Sequence, residues 1–391
     1  MKSNPYDHFG VPEMINCVGY ATRVGGSCPS EEILDAMREA NRACVEIDDL
    51  QAAASSLIAR STGAKAGIVT CGAAAGLTLA AAACMTGSDI ERMDRLPDTS
   101  AFPRNEIIYP RAGPYDYDHP IRASGAKLID LDYHASGALK RIEATIGPKT
   151  AAVGYAWYHI EEKPPITELA VLAHRHGLPL VVDAAMSLPP IENLRKFIQD
   201  GADLVVFSGG KHLRGPQASG ILCGRADLIR SAWAQMVDMD VRAGTWSLRS
   251  WVEKGWIARP PRHGIGRSMK VGKEAVIGLM MALEAYAHRD FEAEQKQWRT
   301  IAEEIAEGLS KLPALSVKLL FPNPAGQPFP TVQVDMPRPL QNELREGQPK
   351  IILAEDETTD RRAFIYPMCL RPEDPARIVA TFKHLIRNKQ S

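Results

Sequence analysis

The feature that most constrains this chain is an alternation of short apolar runs with helical segments between about residues 60 and 225. The apolar runs at 66–71, 150–157, 178–185 and 202–207 are each followed or preceded by a segment with helical spacing. Parallel strands need crossover connections, and strands covered by helices on both faces are apolar throughout. The pattern therefore predicts an α/β fold built on a mostly parallel sheet.

The composition and the spacing of apolar residues change after about residue 245. A tryptophan-rich stretch is followed by a long helical segment at 271–311, then by strand-like runs and a terminal helix from about 375. We expect three parts: an N-terminal segment over residues 1–30, a large domain over 31–268 and a smaller C-terminal α/β domain over 269–391.

Charge and cysteine content exclude several classes of protein. The 46 basic and 47 acidic residues leave a net charge of −1, so we expect no nucleic-acid or membrane partner. The seven cysteines are scattered without a CxxC pair, which argues against a disulfide framework and a metal site. The N-terminus lacks a signal-peptide pattern, and the apolar stretch 71–87 is short and rich in Gly and Ala. We expect a cytoplasmic protein.

Three features lie where predicted strands end. "TCGAAAG" places Gly72, Ala73 and Ala74 at a helix start, where backbone N–H groups could hold a phosphate, although such a start of small residues is more often plain packing. Asp183 ends "LPLVVD", where it needs a cationic partner or serves only as a helix cap. Lys211, in "SGGKHLRGPQASG", follows a buried strand, where burial would lower its pKa and favour Schiff-base chemistry; alternatively it is a surface lysine in a turn.

The order of these features is more informative than any one of them. A phosphate-binding helix start, then an aspartate, then a lysine is the order found in pyridoxal 5'-phosphate (PLP) enzymes of the aspartate-aminotransferase fold. The lysine forms the Schiff base with the cofactor, and the aspartate keeps the pyridine nitrogen protonated. Ser208, just before the lysine, could add a hydroxyl to the phosphate.

The chain resembles the SelA-like family of fold-type-I PLP-dependent enzymes, the branch of selenocysteine synthase and D-glucosaminate-6-phosphate ammonia-lyase. The resemblance is carried by "INCVGYATRVGGS", "STGAKAGIVTCGAAAGLTLA", "VVDAA", "SGGKHLRGPQASGILCG" and "GRSMKVGKEAVIGLMMALEAY", in this order along the chain. The last segment is the most specific to the ammonia-lyase side of the branch.

The resemblance implies a role for each matching residue. Lys211 would be the Schiff-base lysine, Asp183 the partner of the pyridine nitrogen, and Gly72–Ala74 with Ser208 the phosphate contacts. Gln217 lies in the "GPQ" turn, which also simply closes the loop. The family fold implies a homodimer or higher homo-oligomer with shared active sites, and an N-terminal segment that lies near the active site.

Further candidates lie in loops and helices around the expected site, and each also has an ordinary structural explanation as a solvated side chain or helix-face residue. His159 would stack on or polarise the cofactor. The substrate-binding candidates are Thr22 and Arg23 in the N-terminal segment, Arg111 and His119 after a strand end, Arg267 and Lys270 toward a neighbouring subunit, and Arg371, which would bind a carboxylate.

These residues predict a PLP-dependent lyase that acts on a small, hydroxylated or anionic amino acid by α,β-elimination through an external aldimine and a quinonoid. An aminotransferase, racemase or aldolase remains open, although the asparagine-proline motif of many aminotransferases is replaced by "WYHIEEKPP". A non-catalytic PLP-fold protein would not need Lys211 and Asp183, and an aldolase without PLP would not need Asp183. Because "INCVGY" begins at residue 15, we expect no tRNA-binding domain before it.

Overall fold

The computed structural model describes residues 4–110, 117–157 and 163–387. The chain forms two compact units, one from residues 1–28 and 289–391 and a larger one from 29–288. The strands are β1 (Met14–Cys17), β2 (Ala66–Thr70), β3 (Glu106–Pro110), β4 (Lys127–Leu131), β5 (Thr150–Ala156), β6 (Leu180–Asp183), β7 (Leu204–Ser208), β8 (Gly220–Gly224), β9 (Ser316–Leu320), β10 (Thr331–Asp335), β11 (Lys350–Glu355) and β12 (Arg362–Ile365).

The helices connect these strands and flank them. They are α1 (Pro5–His8), α2 (Glu31–Ala40), α3 (Ile47–Thr62), α4 (Ala73–Thr86), α5 (Ile90–Arg95), α6 (His119–Ala123), α7 (Ala138–Thr145), α8 (Ile166–Arg175), α9 (Asn193–Gln199), α10 (Ala226–Ala234), α11 (Ser250–Glu253), α12 (Lys273–Ala287), α13 (Phe291–Ser310), α14 (Gln341–Glu346) and α15 (Asp374–Arg387). Short 3₁₀ turns lie at Thr22–Val24, Ala243–Thr245, Ile265–Met269 and Pro367–Cys369.

The larger unit contains a seven-stranded sheet in the order β2-β8-β7-β6-β5-β3-β4. Neighbouring strands are parallel from β7 to β4, and β8 runs antiparallel to both β2 and β7. One apolar core packs α3, α8, α9 and α12 on one face, and a second core packs α4 and α10 on the other. The predicted α/β fold with a mostly parallel sheet is confirmed.

The apolar stretch 71–87 forms α4, a helix whose small side chains are almost all buried. Its Gly76 lies against the sheet, where an added Cβ would be 3.0 Å from Cγ1 of Val206. Small residues thus allow α4 to pack closely on the sheet. In the described part of the chain, no helix has the length and apolar character needed to cross a bilayer.

The smaller unit contains a five-stranded sheet in the order β1-β11-β12-β10-β9, packed against α13 and α15. β1 pairs in parallel with β11, with Met14 opposite Lys350 and Cys17 opposite Leu353. Residues 1–28 therefore do not form a separate segment, because their strand completes the sheet of this unit.

The boundary expected at residue 268 lies instead after His288. The reason is α12, which packs on α2 and α3 and contributes Val276, Leu279 and Leu283 to the core of the larger unit. The spacing of apolar residues over 271–311 predicts one long helical stretch, but in the structure α12 belongs to the larger unit and α13 to the smaller one.

Candidate active site at one edge of the larger sheet

Several strand ends meet at one edge of the larger sheet. Thr70, at the end of β2, pairs with Gly220, which in turn pairs with Ser208 at the end of β7. Asp183, at the end of β6, pairs with Val206 of β7 and with Ala156 of β5. Because β2, β5, β6 and β7 all run in the same direction, their carboxyl ends share this edge, where open α/β sheets bind ligands.

The loop after β7 holds Lys211 in a set of interlocked turns. The Lys211 carbonyl accepts a hydrogen bond from the Arg214 N–H at 2.9 Å, and Gly215 N–H donates to the Gly209 carbonyl at 2.8 Å. Arg214 has a φ of 57°, the one positive φ found at a non-glycine residue in the described ranges. Such a backbone costs on the order of 1 kcal/mol and persists only where the surroundings fix it.

Glycines allow this loop to pack without space for side chains. A Cβ on Gly210 would lie 2.6 Å from the Cα of Gln217, so the "GPQ" turn lies directly against the residue before Lys211. A Cβ on Gly209 would lie 2.7 Å from Cδ1 of Leu279 in α12. Gln217 therefore has the loop-closing position, and a contact with the cofactor stays a prediction.

The electrostatics of Lys211 are governed by burial and by one carboxylate. Burial lowers the pKa of the Lys211 ammonium, and the negative charge of Asp183 partly opposes this by raising it. Asp183 is itself held in place, because its Oδ1 accepts a hydrogen bond from the Ala185 N–H at 3.0 Å. Lys211 and Asp183, which we paired above from their order along the chain, therefore also interact electrostatically in the structure.

The start of α4 lies at the same edge. Gly72, the residue before the helix, has a φ of 149°, a conformation that favours glycine, and no side chain of the described residues caps the helix. Thr70 Oγ1 donates to the Gly72 carbonyl at 2.8 Å and so fixes the turn. The first N–H groups of a helix, at Ala73 and Ala74 here, carry the positive end of its dipole and bind anions such as phosphate.

This arrangement fits PLP. A buried amine with a lowered pKa, a carboxylate electrostatically coupled to it and an uncapped helix start are the three kinds of group that would bind the aldehyde, the pyridine nitrogen and the phosphate of this cofactor. Ser208, at the end of β7 and opposite Gly220, is placed on the same edge.

Five further candidates come from residues 29–288 of the sequence. His119 begins α6 with 94% of its side chain exposed. Arg267 pairs with Asp238 at 2.6 Å, and both line a cavity of 340 Å³ together with Lys270. Arg111 and His159 lie outside the described residues. The roles of these five stay predictions.

Three candidates belong to the smaller unit. Thr22 and Arg23 are exposed in the 3₁₀ turn Thr22–Val24. Arg371 is exposed as well, with a guanidinium nitrogen 3.6 Å from Oε2 of Glu13. Their roles in substrate binding also stay predictions.

Sequence reasoning did not single out Tyr117, whose ring centroid lies 6.0 Å from the Nζ of Lys211. The "YDYDHP" stretch showed that aromatic residues follow a strand end, but not which of them reaches the lysine. Lys163 was missed too: it donates to the carbonyl of Ala156, the last residue of β5, at 3.0 Å.

The fold and the edge residues define the class of protein, a fold-type-I PLP-dependent enzyme. Comparison with known families agrees, because the aminotransferase class-V model matches residues 121–337, more than half of the chain. The chain belongs to this family, whose members depend on PLP.

Individual relatives indicate which branch of the family this chain resembles. D-glucosaminate-6-phosphate ammonia lyase from Salmonella typhimurium is 32% identical over 78% of this chain and 76% of its own length. A solved structure of D-glucosaminate-6-phosphate ammonia-lyase superimposes with a TM-score of 0.81 at 27% identity and covers all of both chains. The 5'-C-glycyluridine monooxygenase-decarboxylase of a Streptomyces species is 29% identical over 97% of this chain and 92% of its own length. The predicted resemblance to the ammonia-lyase side of the branch is confirmed.

Proposed function

We propose that this protein is a PLP-dependent lyase that converts a small α-amino acid with a hydroxyl on its β-carbon to a 2-keto acid and ammonia. The observation that carries the proposal is the full-length structural similarity to D-glucosaminate-6-phosphate ammonia-lyase, with Lys211 and Asp183 coupled at the edge of the sheet. A phosphate or second carboxylate on the substrate fits the anionic substrate in that relative's name.

Each residue at the edge has a distinct task. PLP, when bound, supplies the electron sink that makes the Cα–H bond of an amino acid acidic. Lys211 attaches the cofactor and, once displaced by the substrate amine, takes the proton from the α-carbon; its lowered pKa leaves more of it neutral and able to do so. Asp183 holds a proton on the pyridine nitrogen, and Ala73, Ala74 and Ser208 hold the phosphate.

The elimination needs no external oxidant or amino-group acceptor. The Cα–H and Cβ–O bonds break, the hydroxyl leaves as water, and the released enamine tautomerises to an imine that water hydrolyses to a 2-keto acid and ammonia. An aminotransferase, in contrast, requires a second keto acid to take the amino group. This difference provides the test.

The test is a screen of D- and L-β-hydroxyamino acids, with and without a phosphate, for 2-keto acid and ammonia in equal amounts. The proposal expects turnover without added keto acid, and none for Lys211→Ala. Turnover that appears only with an added keto acid would show an aminotransferase. Inversion of the α-carbon or release of an aldehyde would show a racemase or an aldolase.

A second candidate is oxidative decarboxylation, because the monooxygenase-decarboxylase relative matches over 97% of the chain. Such a reaction consumes dioxygen and releases the substrate carboxyl as CO₂. The same screen in air and under nitrogen separates the two candidates, since the lyase reaction is unchanged without dioxygen.

We further propose that the protein is a cytoplasmic homodimer or larger homo-oligomer in which Arg267 and Lys270 serve the neighbouring subunit's substrate. The cavity that both residues line also contains the Asp238 carboxylate, which holds Arg267 in place. Sedimentation analysis measures the mass in solution, and a monomer at micromolar concentration would contradict the proposal. Arg267→Ala is expected to raise KM for an anionic substrate by about tenfold.

A further inference from the structure

We propose that Gln51, on α3, is a positioning residue that fixes the end of β2 and so presents the start of α4 to the cofactor phosphate. The inference deepens the proposed function, because it rests on PLP as cofactor and on its phosphate at Ala73 and Ala74. Gln51 would act through the strand and not by contact with the cofactor. Neither the sequence motifs nor the similar proteins assign a role to this residue.

β2 is the outermost strand on its side of the described seven-stranded sheet, with β8 as its neighbour. Alternate residues of an edge strand turn their N–H and C=O groups away from the sheet, where these groups need another partner. Here the residues are Gly67 and Val69, and α3 lies along them. A Cβ on Gly67 would collide with Cγ2 of Ile58, so the helix approaches the strand very closely.

Gln51 takes the place of a neighbouring strand at Val69. Its Oε1 accepts the Val69 N–H at 2.9 Å, and its Nε2 donates to the Val69 carbonyl at 2.9 Å. One turn further along α3, Ser55 Oγ accepts the Gly67 N–H at 3.1 Å. Gln51 is only 2% exposed and Val69 is buried, so water does not replace these bonds. A glutamine suits this position because its amide carries a donor and an acceptor side by side, as a peptide group does.

Val69 lies just before the turn that would hold the phosphate. The next residue, Thr70, donates from Oγ1 to the Gly72 carbonyl at 2.8 Å, and α4 begins directly after Gly72. Thr70 also pairs with Gly220 of β8. The end of β2 is therefore held on its outer side by Gln51 and on its inner side by β8.

Loss of the Gln51 amide would leave two buried backbone groups of Val69 unpaired. A buried group without a partner costs more than an ordinary hydrogen bond contributes, so the strand end would shift to find new partners. Such a shift would displace the N–H groups at the start of α4. It should affect Lys211 far less, because β8 separates β2 from β7, the strand that leads to the lysine loop.

The test compares PLP with pyridoxal, which has the same aldehyde and ring but no phosphate. We would titrate the apo forms of wild type, Gln51→Met and Gln51→Asn with each compound and record the visible absorption of the lysine-bound form. Gln51→Met removes both hydrogen-bonding groups at similar size, and Gln51→Asn keeps the amide on a side chain one methylene shorter. Thr62→Val is the matched control, because it removes a buried 2.7 Å hydrogen bond to the Ile58 carbonyl from the same helix.

The expected result is a rise of about three- to tenfold in the dissociation constant of PLP for both Gln51 variants, with that of pyridoxal within about twofold of wild type. Thr62→Val should lower the melting temperature and leave the ratio of the two constants unchanged. If Gln51→Met does not fold, the milder Gln51→Asn decides the outcome.

An unchanged ratio in a folded Gln51 variant would overturn the proposal, and so would an equal change of the ratio in Thr62→Val. An equal loss of affinity for PLP and pyridoxal would overturn it too, because the effect would then not involve the phosphate. Wild type that binds PLP no more tightly than pyridoxal would instead refute the assignment of the phosphate to the start of α4.

Discussion

At the scale of single residues, the reactivity of Lys211 depends on two opposing influences. Burial destabilises its charged form and lowers its pKa, while the Asp183 carboxylate stabilises the charge and raises it. Burial is the larger influence, so the pKa lies below the ordinary lysine value of about 10.4. Only the neutral amine can attack the aldehyde of the cofactor.

This balance predicts how cofactor attachment depends on pH. The rate constant for PLP attachment to the apo protein should rise with pH and level off below pH 10.4. Because the folded pKa is lower than the unfolded one, the charged lysine also destabilises the apo fold at neutral pH, and this cost fades as pH rises between the two values. Stopped-flow absorbance across pH 6–11 measures the rate, and a plateau only above about pH 10.4 would contradict the prediction.

The substitution Asp183→Asn should affect the attachment of PLP to Lys211 and the turnover of substrate in different ways. Without the carboxylate the pKa of Lys211 falls further, so the attachment profile moves to lower pH. Turnover should nevertheless drop by about 100-fold or more, because Asp183 is the partner we propose for the pyridine nitrogen and an amide would not keep that nitrogen protonated. Asp183→Glu, which keeps the charge, is the control. An attachment profile that moves to higher pH in Asp183→Asn would show that the two residues are not coupled as described.

At the scale of secondary structure, the start of α4 depends on the first residue of β8. A Cβ on Gly220 would lie 2.6 Å from the carbonyl carbon of Gly72 and 2.7 Å from the backbone nitrogen of Ala73. The strand therefore approaches the proposed phosphate site so closely that only glycine fits. Gly220 pairs with both Thr70 and Ser208, so its backbone cannot move without disturbing two strands.

Gly220→Ala should weaken PLP binding by more than about tenfold and destabilise the protein by about 1–3 kcal/mol through overpacking. Gly147→Ala is the matched control, since nothing lies within 4 Å of a Cβ at that position. Equilibrium titration with PLP and urea unfolding measure the two effects. Normal affinity in Gly220→Ala would show that the phosphate does not bind at this helix start.

The sequence predicts the strand ends well, because strand periodicity and glycine-rich turns are local properties. Asp183 ends its strand as expected, β7 extends to Ser208, one residue beyond the predicted apolar run 202–207, and Lys211 follows β7 in a loop. Other features depend on distant partners: the N-terminal strand joins β11, and α12 joins the core of the larger unit. The proximity of Tyr117 to Lys211 likewise requires the fold, because the two residues come from loops after different strands.

At the scale of the whole molecule, α12 fastens the lysine loop to the body of the larger unit. A Cβ on Gly278 would lie 2.7 Å from Cγ of Pro216 and 2.8 Å from Sδ of Met37 in α2. The neighbouring Leu279 contacts the positions of Gly209 and Gly215 on either side of Lys211. A helix far along the chain thus supports the loop that carries the reactive amine.

Gly278→Val should destabilise the larger unit by about 2 kcal/mol and also weaken PLP binding, because the added methyl groups displace Pro216. Gly308→Val is a matched control in the smaller unit, where a Cβ would lie 2.5 Å from Cγ2 of Val379. That variant should lose stability while keeping its affinity for PLP. Unfolding curves and PLP titrations distinguish them, and equal losses of affinity would contradict a specific role of α12.

The meeting of β2, β6 and β7 at one edge has a consequence for the protein in a cell. The ends of these strands come from distant parts of the sequence, so a partly folded chain lacks a complete cofactor-binding site. A ligand that binds only the native form stabilises it by RT ln(1 + [L]/Kd), about 2.7 kcal/mol at a hundredfold excess over Kd. The amount of this enzyme that survives proteolysis should therefore rise and fall with the supply of vitamin B6.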